Sequence, residues 1–299
     1  MSLLVVGSTA FDTVETDQGR IDDCLGGSST YFSLAAAMFT EVRLVSVVGE
    51  DFPDESRALF EKHGVRLDGL EVKPGKTFRW SGKYSADMNS RETLDVQLNT
   101  FADFRPRVPD TFRDSPFVFL ANGAPTTQAS VLDQVEACRF SVADTMDLWI
   151  ETQRDDLSAL LERIDGLILN DEEAKMLTGE TNLVRAGRKV LDLGPKLVIL
   201  KKGEHGSFLF SNFFQYALPA YPTEHVLDPT GAGDSFAGGF MGFLSGCATL
   251  SLWNMKRAIA YGTVTASMTV ESFGVDAIAR ASRADIDRRY DELIQFVSV

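Results

Sequence analysis

The run "LDPTGAGDSFAGGF" (Leu227–Phe240) places glycines, a proline and two aspartates directly before an apolar stretch compatible with a helix. Glycine lets backbone N–H groups come close to a ligand. Gly231, Ala232 and Gly233 opening a helix would therefore form an anion pocket, reinforced by the helix dipole. Asp234 would stand at its rim. A carboxylate beside an anion site is electrostatically awkward, which points to a group that takes a proton rather than one that holds the anion.

Other polar residues have spacings that could do chemistry. Asn170 and Glu173 stand three apart at a strand-to-helix junction in "LNDEEA". They could hold a magnesium ion through its waters, or form a helix N-cap with its capping-box partner, and both readings stay open. Asp12 could accept hydrogen bonds from ligand hydroxyls, with Gly26 and Gly27 letting a ligand approach the backbone; a turn and a helix start would use the same residues. Lys201, with Gly203 and Gly206, could meet phosphates, although Lys202 could take that part instead. Arg79, Lys83 and Arg91 could meet an anionic group on a substrate or form a solvated strand face. His63, His205 and His225 share no metal-ligand spacing.

These residues need a frame. Short apolar runs ("LLVVG", "VRLVSVVG", "FVFLA", "GLILN", "KLVIL") alternate with helical spacings at Thr30–Phe39, Thr126–Ala137, Asp156–Arg163 and Asp171–Thr178. That alternation predicts a parallel sheet covered on both faces, a three-layer α/β/α domain. "KTFRWSGKY" and "ETLDVQLNT" instead alternate with period two around the polar "SADMNSR". They predict an antiparallel hairpin with one wet face, a lid or dimer surface inserted at about 72–104, to which 12–25 could be added. No linker or repeat divides the chain, so residues 1–299 read as one domain.

Composition narrows the partners. With 29 basic against 43 acidic residues the net charge is −14, which disfavours nucleic acid and anionic membranes. No apolar run approaches the roughly 18 residues of a membrane span, and the first residues lack a basic, signal-like start, so a cytoplasmic protein is expected. Three scattered cysteines argue against a disulfide framework or a thiolate zinc site.

"DPTGAGDSFAGGF" resembles the C-terminal signature of ribokinase-like (PfkB-type) carbohydrate kinases. "LGGSSTYFSLAAA" is similar to the family's glycine pair before a helix, and "VVGSTAFD" to its first strand ending near a substrate-binding aspartate. "LNDEEA" is similar to its N-x-x-E motif, and "LKKGEHGSFLF" to the strand and G-x-x-G loop beside the nucleotide. The resemblance spans nearly the whole chain. It implies a ribokinase-like fold with a mainly parallel sheet and a small β-hairpin lid. It also implies transfer of the γ-phosphoryl of ATP, with Mg2+, to a hydroxyl of a sugar, polyol or nucleoside.

On that resemblance Asp234 is the base and Gly231, Ala232 and Gly233 form the anion hole. Lys201, Gly203, Gly206 and Thr230 serve the nucleotide; Asp12, Gly26, Gly27 and Tyr31 serve the substrate; Asn170 and Glu173 serve the metal. Some members bind a monovalent cation, for which Asp228 and "ESFG" (271–274) are placed. Ribose-binding members carry asparagine where Tyr31 stands, which puts ribose itself in doubt. A nucleoside kinase, or a catalytically silent ligand-binding regulator of the same fold, remains the alternative. Oligomeric state stays open, with the amphipathic lid hairpin offering a surface for a homodimer.

Overall fold

Leucine- and valine-rich segments form a nine-stranded sheet because their side chains are buried on both faces. Leu3 and Val5 enter one hydrophobic core, while Leu4 and Val6 enter the other. The computed structural model describes residues 1–298. Its strands are Leu3–Val6 (β1), Ala10–Thr16 (β2), Gly19–Gly26 (β3), Val42–Gly49 (β4), Val65–Lys73 (β5), Phe78–Tyr84 (β6), Arg91–Gln97 (β7), Phe117–Leu120 (β8), Phe140–Asp144 (β9), Gly166–Asn170 (β10), Leu197–Lys201 (β11), Ser207–Ser211 (β12) and Gln215–Leu218 (β13).

The main sheet runs β13-β12-β11-β10-β9-β8-β1-β4-β5. From β11 to β5 all neighbours are parallel, and only the β11–β12 and β12–β13 pairings are antiparallel, so β12 alone runs against the other strands. The helices Ser28–Ala37, Ala232–Ser245 and Leu252–Thr269 cover one face through Phe32, Phe240 and Ile259. The helices Pro125–Leu132, Arg154–Leu161, Asp171–Thr178 and Leu183–Leu191 cover the other through Val131, Leu157, Leu177 and Val190. Phe32 stacks on Phe119 of β8 at 4.2 Å between ring centroids, fixing the first helix to the sheet. Each such buried side chain contributes about 1.5–3 kcal/mol.

The polar insertion is larger than a hairpin. β6 and β7 pair antiparallel, but β2 joins β6 in parallel and β3 pairs with β2, giving a four-stranded sheet in the order β3-β2-β6-β7. A two-stranded hairpin is marginal in water, and the extra strands give β6 a partner on each side. Lys73, inside the expected insertion, still belongs to β5 of the main sheet.

Two other expectations shift. "VVGSTAFD" is split between β1 and β2, so Asp12 lies in the second sheet. The helix expected to reach Ala137 stops at Leu132, and the following turns lead into β9, whose mixed sequence FSVAD carries no continuous apolar run. No helix among the described residues is long and apolar enough to cross a membrane.

Candidate active site

A parallel sheet puts the carboxyl ends of its strands at one edge, where ligands bind in open α/β folds. Asp144 ends β9, Asn170 ends β10 and Lys201 ends β11. The turn Asp228–Gly231 brings the helix Ala232–Ser245 to the same edge. Gly231 is its N-cap at φ 74°, ψ 0°, and a Cβ there would stand 2.2 Å from the ring of Tyr31. Both backbone conformation and space therefore require glycine. A Cβ on Gly233 would lie 2.8 Å from Lys201 Nζ, so the lysine sits directly beneath the helix start.

Ala232 N–H closes a turn to Pro229 O, and Ser235 N–H donates to Gly231 O. Among the described residues the N–H groups of Gly233 and Asp234 donate to no carbonyl outside the helix, and no carbonyl four residues back can receive them within it. Asp234, half-buried on that first turn, thus stands beside open donors at the positive end of a helix dipole.

Four buried or half-buried groups converge there. Lys201 Nζ lies 3.4 Å from Asp144 Oδ2. Desolvation alone would lower the pKa of Lys201, but Asp144, Glu173 and Asp234 outweigh it, so the ammonium is held charged. Asp234 is pushed up to about 8, first by desolvation, then by the charge of Asp144, with Lys201 opposing. Glu173 is pushed up to about 7 by desolvation, with Lys201 opposing and Asp144 adding to the rise. Three carboxylates around one lysine leave an excess of buried negative charge, which the ionised forms resist and a cation would relieve.

At Asn170 the structure realises the capping box. Glu173 N–H donates to Asn170 Oδ1 at 2.8 Å, and Asn170 N–H donates to Glu173 Oε2 at 2.7 Å. The cap uses one lone pair of Asn170's single side-chain oxygen and one of the two Glu173 oxygens, so Asn170 Oδ1 can still accept from a water and Glu173 Oε1 is not engaged by the cap. Among the described residues no three His, Cys, Asp or Glu side chains converge closely enough to ligate an ion directly. An ion held by one carboxylate, waters and phosphates is what magnesium prefers, so this donor set fits it.

A second group adjoins the first through Tyr31. Asp12, 4% exposed, accepts from Gly27 N–H at 3.3 Å and is pushed up to about 7, first by desolvation. A Cβ on Gly26 would fall 2.0 Å from Asp12 Oδ2, so glycine makes room for the carboxylate. Tyr31 is 1% exposed, and its hydroxyl has no partner among the described residues. Asp228, fully buried, accepts from Thr230 N–H at 2.8 Å and Gly274 N–H at 3.2 Å, tying the turn to "ESFG".

The second sheet overhangs this edge. Thr230 Oγ1 donates to Tyr84 Oη at 3.2 Å, from the end of β6. Asn89, in the β6–β7 loop, stands where a Cβ on Gly203 would be 3.1 Å from its Oδ1. Gly203 and Gly206 form a tight turn after β11 with positive φ of 53° and 80°.

Lys202 points away, its Nζ 3.8 Å from the centre of the Phe208 ring, so Lys201 is the lysine in the site. Arg79 is engaged with Asp51 and Lys83 with Glu15, whereas Arg91 forms no ion pair among the described residues. Its charge favours the ionised forms of Asp12, Asp144, Glu173 and Asp234. A cavity of about 310 Å3 beside β5 involves none of these side chains.

Sequence reading missed Asp144 and Tyr84. Asp144 ends an unrecognised strand, and a carboxylate at the carboxyl end of a parallel strand is the signal that would have found it. Tyr84 reads only as an apolar position of an amphipathic strand.

An α/β/α sheet with an overhanging second sheet is the ribokinase-like fold, and a helix start with open N–H groups beside a carboxylate lies at its strand ends. The sequence matches the pfkB family carbohydrate kinase pattern over residues 2–281, and the chain belongs to that family of ATP-dependent kinases, which phosphorylate an alcohol group. It is 29% identical over 247 residues to a cytidine kinase of Thermococcus kodakarensis, covering 81% of this chain and 87% of the relative. It is 25% identical over 291 residues to a nucleoside kinase of Methanothermobacter thermautotrophicus, covering 91% and 90%. The fold is similar to that of Burkholderia thailandensis nucleoside kinase in complex with inosine, with TM-score 0.81 and 17% identity over 98% of both chains.

Proposed function

We propose that this kinase transfers the γ-phosphoryl of ATP to a hydroxyl of a sugar, polyol or nucleoside bound between Asp12 and Asp234. The observation that carries the reading is Asp234 on the first turn of a helix whose Gly233 and Asp234 N–H groups are open, with Lys201 beneath. Asp12 and the Gly26–Gly27 backbone hold the substrate's hydroxyls, and Tyr31 walls the pocket. Asp234 takes the proton of the attacking hydroxyl as it adds to phosphorus. The open N–H groups of the Gly231–Ala232–Gly233 turn and the helix dipole stabilise charge on the transferred group.

Lys201, the Gly203–Gly206 turn and Thr230 line the nucleotide side. Asn170 and Glu173 would hold Mg2+ through its waters, and the ion supplies charge neutralisation across the phosphates. Both Asp228 oxygens already accept backbone N–H groups, so we assign no step to a monovalent cation.

The second sheet serves as the lid that excludes water, pinned by Tyr84 on Thr230. Its outer strand β7 leaves Leu94 and Val96 half exposed, which is where we place self-association. We assign the reaction to the cytoplasm, where ATP is supplied. The intact Asp234 and glycine turn favour this enzyme over a silent regulator.

The test is ADP release with ATP and Mg2+ across sugars, polyols and nucleosides, beside Asp234→Asn. Turnover should fall by about 10²–10⁴-fold while ATP still binds. A fully active variant would remove Asp234 as the base.

A further inference from the structure

Beside the site lies a cavity of about 160 Å3 that none of the steps above uses. It opens at the carboxyl ends of β1 and β8, lined by Gly7, Ala121 and Asn122, and Trp149 and Phe101 supply aromatic walls. Phe101 lies in a stack from Phe78 of β6, at 5.5 Å, to Phe104, at 5.2 Å, so the wall continues from the lid. Asn122 Oδ1 accepts from Trp149 Nε1–H at 2.9 Å, which holds the indole in place.

Two contacts tie the cavity to the reacting groups. A Cβ on Gly7 would stand 2.6 Å from Ala121 Cβ and 3.0 Å from Ser28 Oγ, so the cavity wall is one residue thick against the Gly27 turn that holds Asp12. On the other side Gln128 donates its amide N–H groups to the carbonyls of Leu120, Ala121 and Asp144, at 3.0, 3.0 and 2.9 Å. Those bonds fix which way the amide points. Gln128 is 4% exposed, yet its Oε1 accepts no hydrogen bond among the described residues, leaving one oriented acceptor on a residue that lines the cavity. The oxygen is not sealed from water, so a ligand N–H entering the cavity can take the place of the water that reaches it.

Aromatic walls suit a flat ring, and a cavity of about 150 Å3 is known to hold one six-membered ring. We propose that this cavity receives the base of a pyrimidine nucleoside, with an N–H on the ring edge donating to Gln128 Oε1. The inference rests on the kinase reading above and names its substrate class: a sugar without a base makes no use of the aromatic walls or of Gln128 Oε1.

Gly123, on the rim, gives a clean perturbation. Its backbone is not in the left-handed region, and an added Cβ meets only Ala121 O at 3.7 Å, so Gly123→Leu should fill the cavity without straining the chain. The experiment measures kcat and KM for cytidine, uridine, adenosine and ribose with saturating ATP and Mg2+, and cytidine binding by calorimetry without ATP, on the full-length parent and Gly123→Leu. Thermal melting verifies that the variant folds.

We expect the pyrimidine nucleosides to exceed ribose in kcat/KM by at least about a hundredfold and adenosine by about tenfold. Gly123→Leu should raise the cytidine KM or Kd at least about tenfold. Ribose turned over as well as cytidine, adenosine preferred to cytidine, or unchanged cytidine affinity in the folded variant would each overturn the pocket and leave the kinase standing. Cytidine bound by the parent and lost in the variant, with no phosphoryl transfer to any compound, would support the pocket and overturn the kinase reading.

Discussion

Asp144 offers the sharpest test of how the site sets its own chemistry. Its charge is the second cause, after desolvation, of the raised Asp234 pKa of about 8, and its Oδ2 lies 3.4 Å from Lys201 Nζ. Asp144→Asn keeps the shape, removes that like charge and frees Lys201 to face Asp234 and Glu173. Both changes lower the Asp234 pKa. A neighbouring charge is worth about 1–3 pKa units, and taking the low end gives about one unit, or about 1.4 kcal/mol.

A base with a pKa of about 8 is roughly one-tenth ionised at pH 7, and at about 7 it is half ionised, so the variant would gain about fivefold in ionised base. The assay is kcat/KM for the phosphoryl acceptor from pH 6 to 9.5. In the parent the ascending limb should lie no higher than about 8, since bound Mg2+ would only lower it. In Asp144→Asn the limb should move to lower pH by about one unit. The height of the plateau reports any direct contact of Asp144 with substrate, so the limb position alone tests the coupling. A limb that stays in place, or moves upward, would refute it.

Two further outcomes follow from the same groups. Asp12, Glu173 and Asp234 have folded-state pKa values raised to about 7, 7 and 8, so the folded protein binds protons that the unfolded chain has released. Their stabilising effect is complete below the unfolded carboxylate range and is lost as pH rises through 7 to 8. The ligand-free protein should therefore melt lower at pH 9 than at pH 6, and Asp234→Asn should remove part of that loss, raising the pH 9 melting temperature by about 2–6 °C; a variant no more stable at pH 9 would contradict it. Gly231→Ala should cost about 1–3 kcal/mol from the positive φ alone, with the Tyr31 ring in the way as well. Its melting temperature and its turnover should fall together, and unchanged values would show that the turn tolerates a side chain.

Much of this protein is legible in one dimension because its signals are local. Continuous apolar runs mark β1, β4, β8, β10 and β11, since a strand buried on both faces needs no polar alternation. The helix Asp171–Thr178 is found to the residue, because an N-cap, a capping-box glutamate and a C-terminal Gly179 are all local chemistry. The glycine turn before Asp234 is equally local: φ 74° at Gly231 demands that residue type.

Tertiary structure decided the rest. Strand β9 carries no continuous apolar run, so Asp144 comes into view only when β8 and β10 close on either side of it. The four-stranded sheet pairs β2 with β6 across more than sixty residues of chain, a partnership that no local pattern encodes. The choice between Lys201 and Lys202 depended on which face of the strand end turns inward, and the aromatic ring of Phe208 holds the second lysine outside. The raised pKa values of Asp12, Glu173 and Asp234 arise from burial and neighbouring charge, which exist only once distant segments meet. The sequence determined which residues could do the chemistry; packing decided which charges face one another and how much water they keep.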